Sequence, residues 1–132
     1  MIAFDTNVLV RLLVRDEPEQ FAAATAILER AVEAGDACYL CDTVLCETEW
    51  VLTTVYDASR ADVLAAFHEI TSDGRFALEG PDEISQALAA YERGKAQLSD
   101  YLIGERSRAR GARTTYTFDR GLRNREGFTL LD

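Results

Sequence analysis

The sequence predicts an α/β domain built on a mostly parallel sheet with helices on both faces. Two observations carry that expectation. Short apolar runs at 2–5, 37–41, 76–78, 114–118 and 128–131 alternate with helical stretches along the whole chain, as when parallel strands are joined by helical crossovers. Two of these runs, Ile2-Ala3-Phe4-Asp5 and Tyr116-Thr117-Phe118-Asp119, close on an aspartate, and such folds place their sites at the carboxyl ends of strands. With 132 residues the chain reads as a single domain spanning 1–132, long enough to bury about two-thirds of its unfolded surface.

The elements follow in order. After the first strand, Asn7–Leu13 has a helical pattern. Asp16-Glu17-Pro18-Glu19 starts the next helix, with proline in the first turn and acids at the positive dipole end. Phe21–Ala34 continues it, and Gly35 ends it as a C′ residue. Ala37–Cys41 is the second strand, and Asp42 reads as the N-cap of a helix running from Thr43 to about Tyr56. Asp57-Ala58-Ser59 is a turn into a helix that ends near Ser72. Asp73-Gly74 turns the chain into the strand Phe76–Leu78, and Gly80-Pro81-Asp82 opens a helix to about Lys95. A further helix covers Leu98–Arg110 with Gly111 as its stop, then come the strands 114–118 and 128–131. There is no internal repeat, low-complexity segment or linker.

Composition narrows the class. Hydrophobic residues make up 48% of the chain, too many for a disordered tail. No apolar stretch reaches the roughly 18 residues of a membrane span, and Met1 leads into a strand without a basic leader. The expectation is a cytoplasmic chain with no membrane partner. Cys38, Cys41 and Cys46 are an odd number without a second pair or a histidine beside them. They read as small buried hydrophobes rather than a disulfide framework or a zinc site, and His68 is given no role.

The net charge of −9 at first argues against nucleic acid, because phosphate binding calls for cationic surface. Position changes that reading. Residues 106–132 hold 7 of the 14 basic residues: Arg106, Arg108, Arg110, Arg113, Arg120, Arg123 and Arg125. Such a stretch is either a solvated face paired with the acidic body or a strip that tracks phosphates.

The acids carry the chemistry. Asp5 and Asp119 each close a strand-like run, so neighbouring parallel strands would bring two distant carboxylates to one edge; each would equally serve as a local N-cap. Asp100 lies in the first turn of its helix, with Gly104 one turn on leaving room for close approach. Glu47 and Glu49 sit on opposite flanks of the stripe formed by Val44, Val51, Leu52 and Val55, and periodicity does not choose between them. Trp50 reads as a core or interface residue. Carboxylates packed together repel and take up protons unless a cation compensates them. Hard oxygen ligands suit Mg²⁺ or Mn²⁺, which stabilise charge on a phosphoryl group in nucleases and phosphatases.

Four segments then carry a resemblance. Phe4-Asp5-Thr6-Asn7-Val8-Leu9 resembles the opening of PIN-domain proteins, especially VapC-type toxin ribonucleases of type II toxin–antitoxin systems. Glu47-Thr48-Glu49-Trp50-Val51-Leu52 is similar to the family's E-x-x-W-V-L helix and selects Glu47 over Glu49. Ser99-Asp100-Tyr101-Leu102-Ile103 resembles its D-x-L-I segment, with a more polar lead-in at Gln97-Leu98-Ser99, and Thr117-Phe118-Asp119 resembles its T-F-D motif. The resemblance implies a three-layer α/β/α sandwich around a central, mostly parallel five-stranded sheet. It also implies Asp5, Glu47, Asp100 and Asp119 as catalytic, metal-binding acids for Mg²⁺ or Mn²⁺, supported by Asn7 and Thr117. The expected activity is endoribonuclease cleavage of RNA, leaving a 5′-phosphate and a 3′-hydroxyl. The expected partners are a second copy in a homodimer and a small antitoxin whose tail enters the acidic groove.

Competing readings are a stand-alone PIN nuclease in RNA processing, a non-catalytic binding module, and a receiver or phosphatase. The only lysine, Lys95, lies on a helix, and Asp5 is followed by Thr6-Asn7, unlike the D-x-D of common phosphatases. A dead module would have no need for four mutually repelling acids.

Overall fold

The computed structural model describes all residues from Met1 to Asp132. It divides into two compact units, Met1–Glu79 and Gly80–Asp132. The first unit holds β1 (Ile2–Ala3), α1 (Thr6–Val14), α2 (Pro18–Glu33), β2 (Cys38–Leu40), α3 (Asp42–Thr54), α4 (Arg60–Ser72) and β3 (Phe76–Leu78). The second holds α5 (Pro81–Arg93), α6 (Leu98–Ala109), β4 (Thr115–Thr117), a 3-10 turn at Arg120–Leu122, and β5 (Phe128–Leu130). The α/β class is as the sequence predicts, and every pairing is parallel.

The five-stranded sheet is corrected. All five expected strands form, but as a three-stranded sheet of order β1-β2-β3 and a two-stranded sheet of β4 and β5. The reason is strand length. β1 has two residues and the others three, so each ladder holds few hydrogen bonds. A strand-like sequence run marks a strand without saying which edges pair.

Within the first unit β2 is the organising strand. Cys38 and Leu40 are fully buried, and both edges are bonded: Phe4 N donates to Tyr39 O and Glu79 N donates to Leu40 O. Leu9, Leu28, Leu45, Val63 and Phe67 complete this core from α1, α2, α3 and α4. On its rim, Arg11 donates to the Tyr56 hydroxyl at 2.8 Å and to Gln20 at 2.6 Å, and Tyr56 donates to Asp16 at 3.1 Å.

Helix ends follow their sequence signals with one exception. Gly35 has φ +76°, and Asp36 N donates back to Ala31 O at 2.8 Å, a C-terminal closure that glycine makes without steric cost. Ser59 and Asp62 form a reciprocal capping box at the start of α4. Asp42 is not the N-cap of α3; Cys41 occupies that position. Cys41 offers no capping oxygen, and the Asp42 amide donates instead to Glu79 Oε1 at 3.0 Å. A carboxylate 37 residues away therefore caps the helix.

The second unit is built on α5 against α6, burying Ile84, Leu88, Tyr91, Leu98, Tyr101 and Leu102. Gly104 fits beneath the Phe128 ring: a Cβ there would lie 2.6 Å from the ring's Cζ atom. The room expected at Gly104 is thus taken by β5, not by a ligand. Gly104→Ala should destabilise the protein by about 1–3 kcal/mol through overpacking, measured by urea denaturation; an unchanged midpoint would contradict this packing.

The cysteine expectation holds in part. None forms a disulfide, Cys38 is buried, and Cys41 and Cys46 are half-buried. Burial pushes the Cys38 thiol up to about 11, and the thiolate is the reactive form. Cys38 should resist alkylation at pH 8 in the native protein and react only on unfolding, read by mass spectrometry of tryptic peptides. Labelling of native Cys38 as fast as in denaturant would refute this.

Candidate active site

In the first unit, Asp5 ends the extended segment after β1 and caps α1. Its Oδ1 accepts from Val8 N at 3.1 Å, where a carboxylate both satisfies an orphan amide and faces the positive helix end. Oδ2 is left open. Thr6, one residue on, donates from Oγ1 to Glu47 Oε2 at 3.3 Å. The Glu47 side chain of α3 therefore reaches the first turn of α1, and Oε1 is left open. Two residues along a helix rotate a side chain by about 200°, so Glu49 points the other way and is 4% exposed. Asn7 is exposed on the second residue of α1. Beside it and Asp5 runs a cavity of about 520 Å³, lined further by Ala3, Ala23, Ala24 and Ile27.

In the second unit, Asp100 is the third residue of α6, and its Oδ2 accepts from Gln97 N at 3.0 Å. Asp119 follows β4 and caps the 3-10 turn, with Oδ1 accepting from Gly121 N at 2.8 Å. Thr117 sets its position: the Asp119 amide donates to Thr117 Oγ1 at 3.0 Å. In all four acids one oxygen is tied to a partner, local for Asp5, Asp100 and Asp119 and 41 residues away for Glu47, and the other faces none.

Each unit supplies two of the four acids, and within neither do three His, Cys, Asp or Glu side chains stand close enough to hold a cation. The four expected acids would offer carboxylate oxygens alone, a donor chemistry that suits Mg²⁺ or Mn²⁺ rather than zinc. The model match is extensive: a family model described as the PIN domain fits residues 2–127. The chain belongs to the PIN domain family. No curated protein matches it. PIN domains are generally metal-dependent nucleases that bind RNA, and no helix of this PIN domain is long and apolar enough to cross a membrane.

The arginine stretch divides into two groups. Arg106 pairs with Glu83 at 2.9 Å, Arg108 with Glu105 and Glu126 at 3.9 and 3.6 Å, and Arg125 donates to Arg93 O at 2.8 Å. Arg110, Arg113, Arg120 and Arg123 are exposed and carry no ion pair. Sequence reasoning passed over Thr6, whose hydroxyl engages Glu47. Its signal was available, because a hydroxyl side chain follows the capping aspartate at the first position of α1. Trp50, half exposed on α3, is not a core residue, and His68 is exposed.

Asparagine caps a helix about as well as aspartate, whereas alanine costs about 1 kcal/mol. Asp5→Asn should therefore leave stability nearly unchanged while Asp5→Ala loses about 1 kcal/mol, compared by thermal unfolding in metal-free buffer. Equal losses for both would remove the capping role from Asp5.

Proposed function

We propose that this chain is a Mg²⁺- or Mn²⁺-dependent endoribonuclease and the toxin of a type II toxin–antitoxin pair, with residues 1–132 working as one domain. The observation that carries the reading is the shared arrangement of Asp5, Glu47, Asp100 and Asp119: each is anchored through one oxygen and keeps the other open. A carboxylate serving only as a cap needs no such counterparts at the other three family motif positions.

Asp5, Glu47, Asp100 and Asp119 would hold the ion. When bound, a divalent cation supplies charge neutralisation at the scissile phosphate and lowers the pKa of a coordinated water. The protein's own contribution is preorganisation. Val8 N, Gln97 N and Gly121 N fix three carboxylates through the backbone, and Thr6 fixes the fourth. Each therefore meets a ligand with little side-chain entropy left to lose. Thr117 holds Asp119 through its amide, and Asn7, two residues after Asp5, would help hold the acids, the metal or a water. The chain's sole histidine, His68, stands exposed on α4, and we assign it no part as general base. The products are a 5′-phosphate and a 3′-hydroxyl.

The reading includes a homodimer, a cytoplasmic location, and a small antitoxin whose basic segment is drawn to the acidic groove. A stand-alone nuclease in RNA processing is the alternative; a small open reading frame directly upstream of the gene distinguishes the two. RNA cleavage should appear with Mg²⁺ or Mn²⁺, vanish on chelation, and fall about a hundredfold or more in Asp5→Asn. Cleavage that survives both chelation and that substitution would sink the nuclease proposal.

A further inference from the structure

The two-stranded sheet of the second unit has unlike faces. Thr115, Thr117, Phe128 and Leu130 alternate onto one face, where Phe128 packs over Gly104 of α6. On the other face Tyr116 is 63% exposed, and Phe118, just past the end of β4, is 75% exposed. They stand two residues apart in the chain, and Thr129 lies opposite Tyr116 in the register. Large aromatic side chains usually contribute to a core, so two rings left bare on and just after one strand call for an occupant.

The surrounding charge selects it. Arg113 precedes the strand, and Arg120 and Arg123 follow it; all three are exposed and none has an acidic partner. An unpaired cationic border around exposed rings matches a polyanion with flat bases. It matches an apolar protein surface poorly, because three arginines would then be desolvated without counter-charges. Rings at successive outward positions of a strand can each stack an unpaired base, while guanidinium groups bind the phosphates between them. Asp119 is the next residue after Phe118 in the chain.

We propose that Tyr116 and Phe118 form a base-stacking platform for single-stranded RNA, with Arg113, Arg120 and Arg123 on its phosphates. This rests on the ribonuclease reading and deepens it by naming the residues that hold the bases and phosphates of an unpaired substrate. Duplex RNA keeps its bases stacked on one another and cannot use the platform.

The test uses the full chain carrying Asp5→Asn, so that RNA remains intact, in Mg²⁺. Its probe is a single-stranded RNA oligonucleotide bearing 2-aminopurine, followed by anisotropy and base fluorescence. Binding should quench the 2-aminopurine. Phe118→Ala and Tyr116→Ala should each weaken binding about tenfold or more and reduce the quench. Phe118→Trp should preserve both. Arg120→Gln and Arg123→Gln should lower the salt dependence by about 0.7 in log–log slope per lost phosphate contact. Unchanged melting temperatures in the aromatic variants exclude a folding explanation.

Affinity and quench that survive loss of both rings would overturn the platform. So would sedimentation showing a dimer that dissociates in Phe118→Ala, since that assigns the face to a second copy. The two proposals fail separately. Metal-dependent cleavage at unchanged KM in Phe118→Ala removes the platform and keeps the nuclease. Ring-dependent binding without cleavage by the unsubstituted chain removes the nuclease and keeps the platform.

Discussion

A strand of two or three residues cannot hold itself in place, and the N-terminal unit answers that constraint through β2. Both of its edges are bonded and its Cys38 and Leu40 side chains are excluded from water. Buried backbone polar groups demand partners, so placing β2 in the core requires β1 on one side and β3 on the other. That requirement ends β1 at Ala3 and leaves Phe4 bonded to Tyr39. The next residue, Asp5, inherits the job of starting a helix.

The same constraint explains why the candidate acids sit at element ends. Each short strand hands the chain to a helix or turn whose first amides have no internal acceptor. Asp5 and Asp119 meet that need with one oxygen apiece, and Asp100, on a helix that follows α5, accepts from the amide of the N-cap Gln97. Capping and metal binding are therefore compatible uses of the same side chain. Satisfying the backbone removes rotamer freedom that a loose carboxylate would lose on meeting a ligand. Glu47, in mid-helix, has no orphan amide to cap, and the Thr6 hydroxyl of α1 performs the anchoring.

The charge balance acquires a different meaning once residues are placed. A value of −9 describes a polyanion repelling RNA, but a net charge that omits a bound cation is incomplete at such a site. The basic residues also differ in kind. Arg106 and Arg108 are neutralised by neighbouring glutamates, whereas Arg113, Arg120 and Arg123 face solvent near Asp119 and the exposed rings. The ion-paired reading of the arginine stretch is realised in Arg106 and Arg108, and the exposed Arg113, Arg120 and Arg123 are without acidic partners.

Local signals were legible in the sequence alone. Helices, strands, the Gly35 stop and the capping capacity of Asp5 and Asp119 depend on residues within a turn of one another, so pattern and residue type determined them. The four acids were legible as motifs for the same reason. Periodicity could not separate Glu47 from Glu49, because the two flanks of a stripe differ only in what packs against them. Tertiary structure buried Glu49 and brought Thr6 to Glu47. It gave the α3 cap to Glu79 instead of Asp42, filled the space at Gly104 with Phe128, and divided five strands between two sheets. Each of those outcomes joins residues far apart in the chain, and which distant groups meet is decided by packing and backbone pairing, not by local propensity.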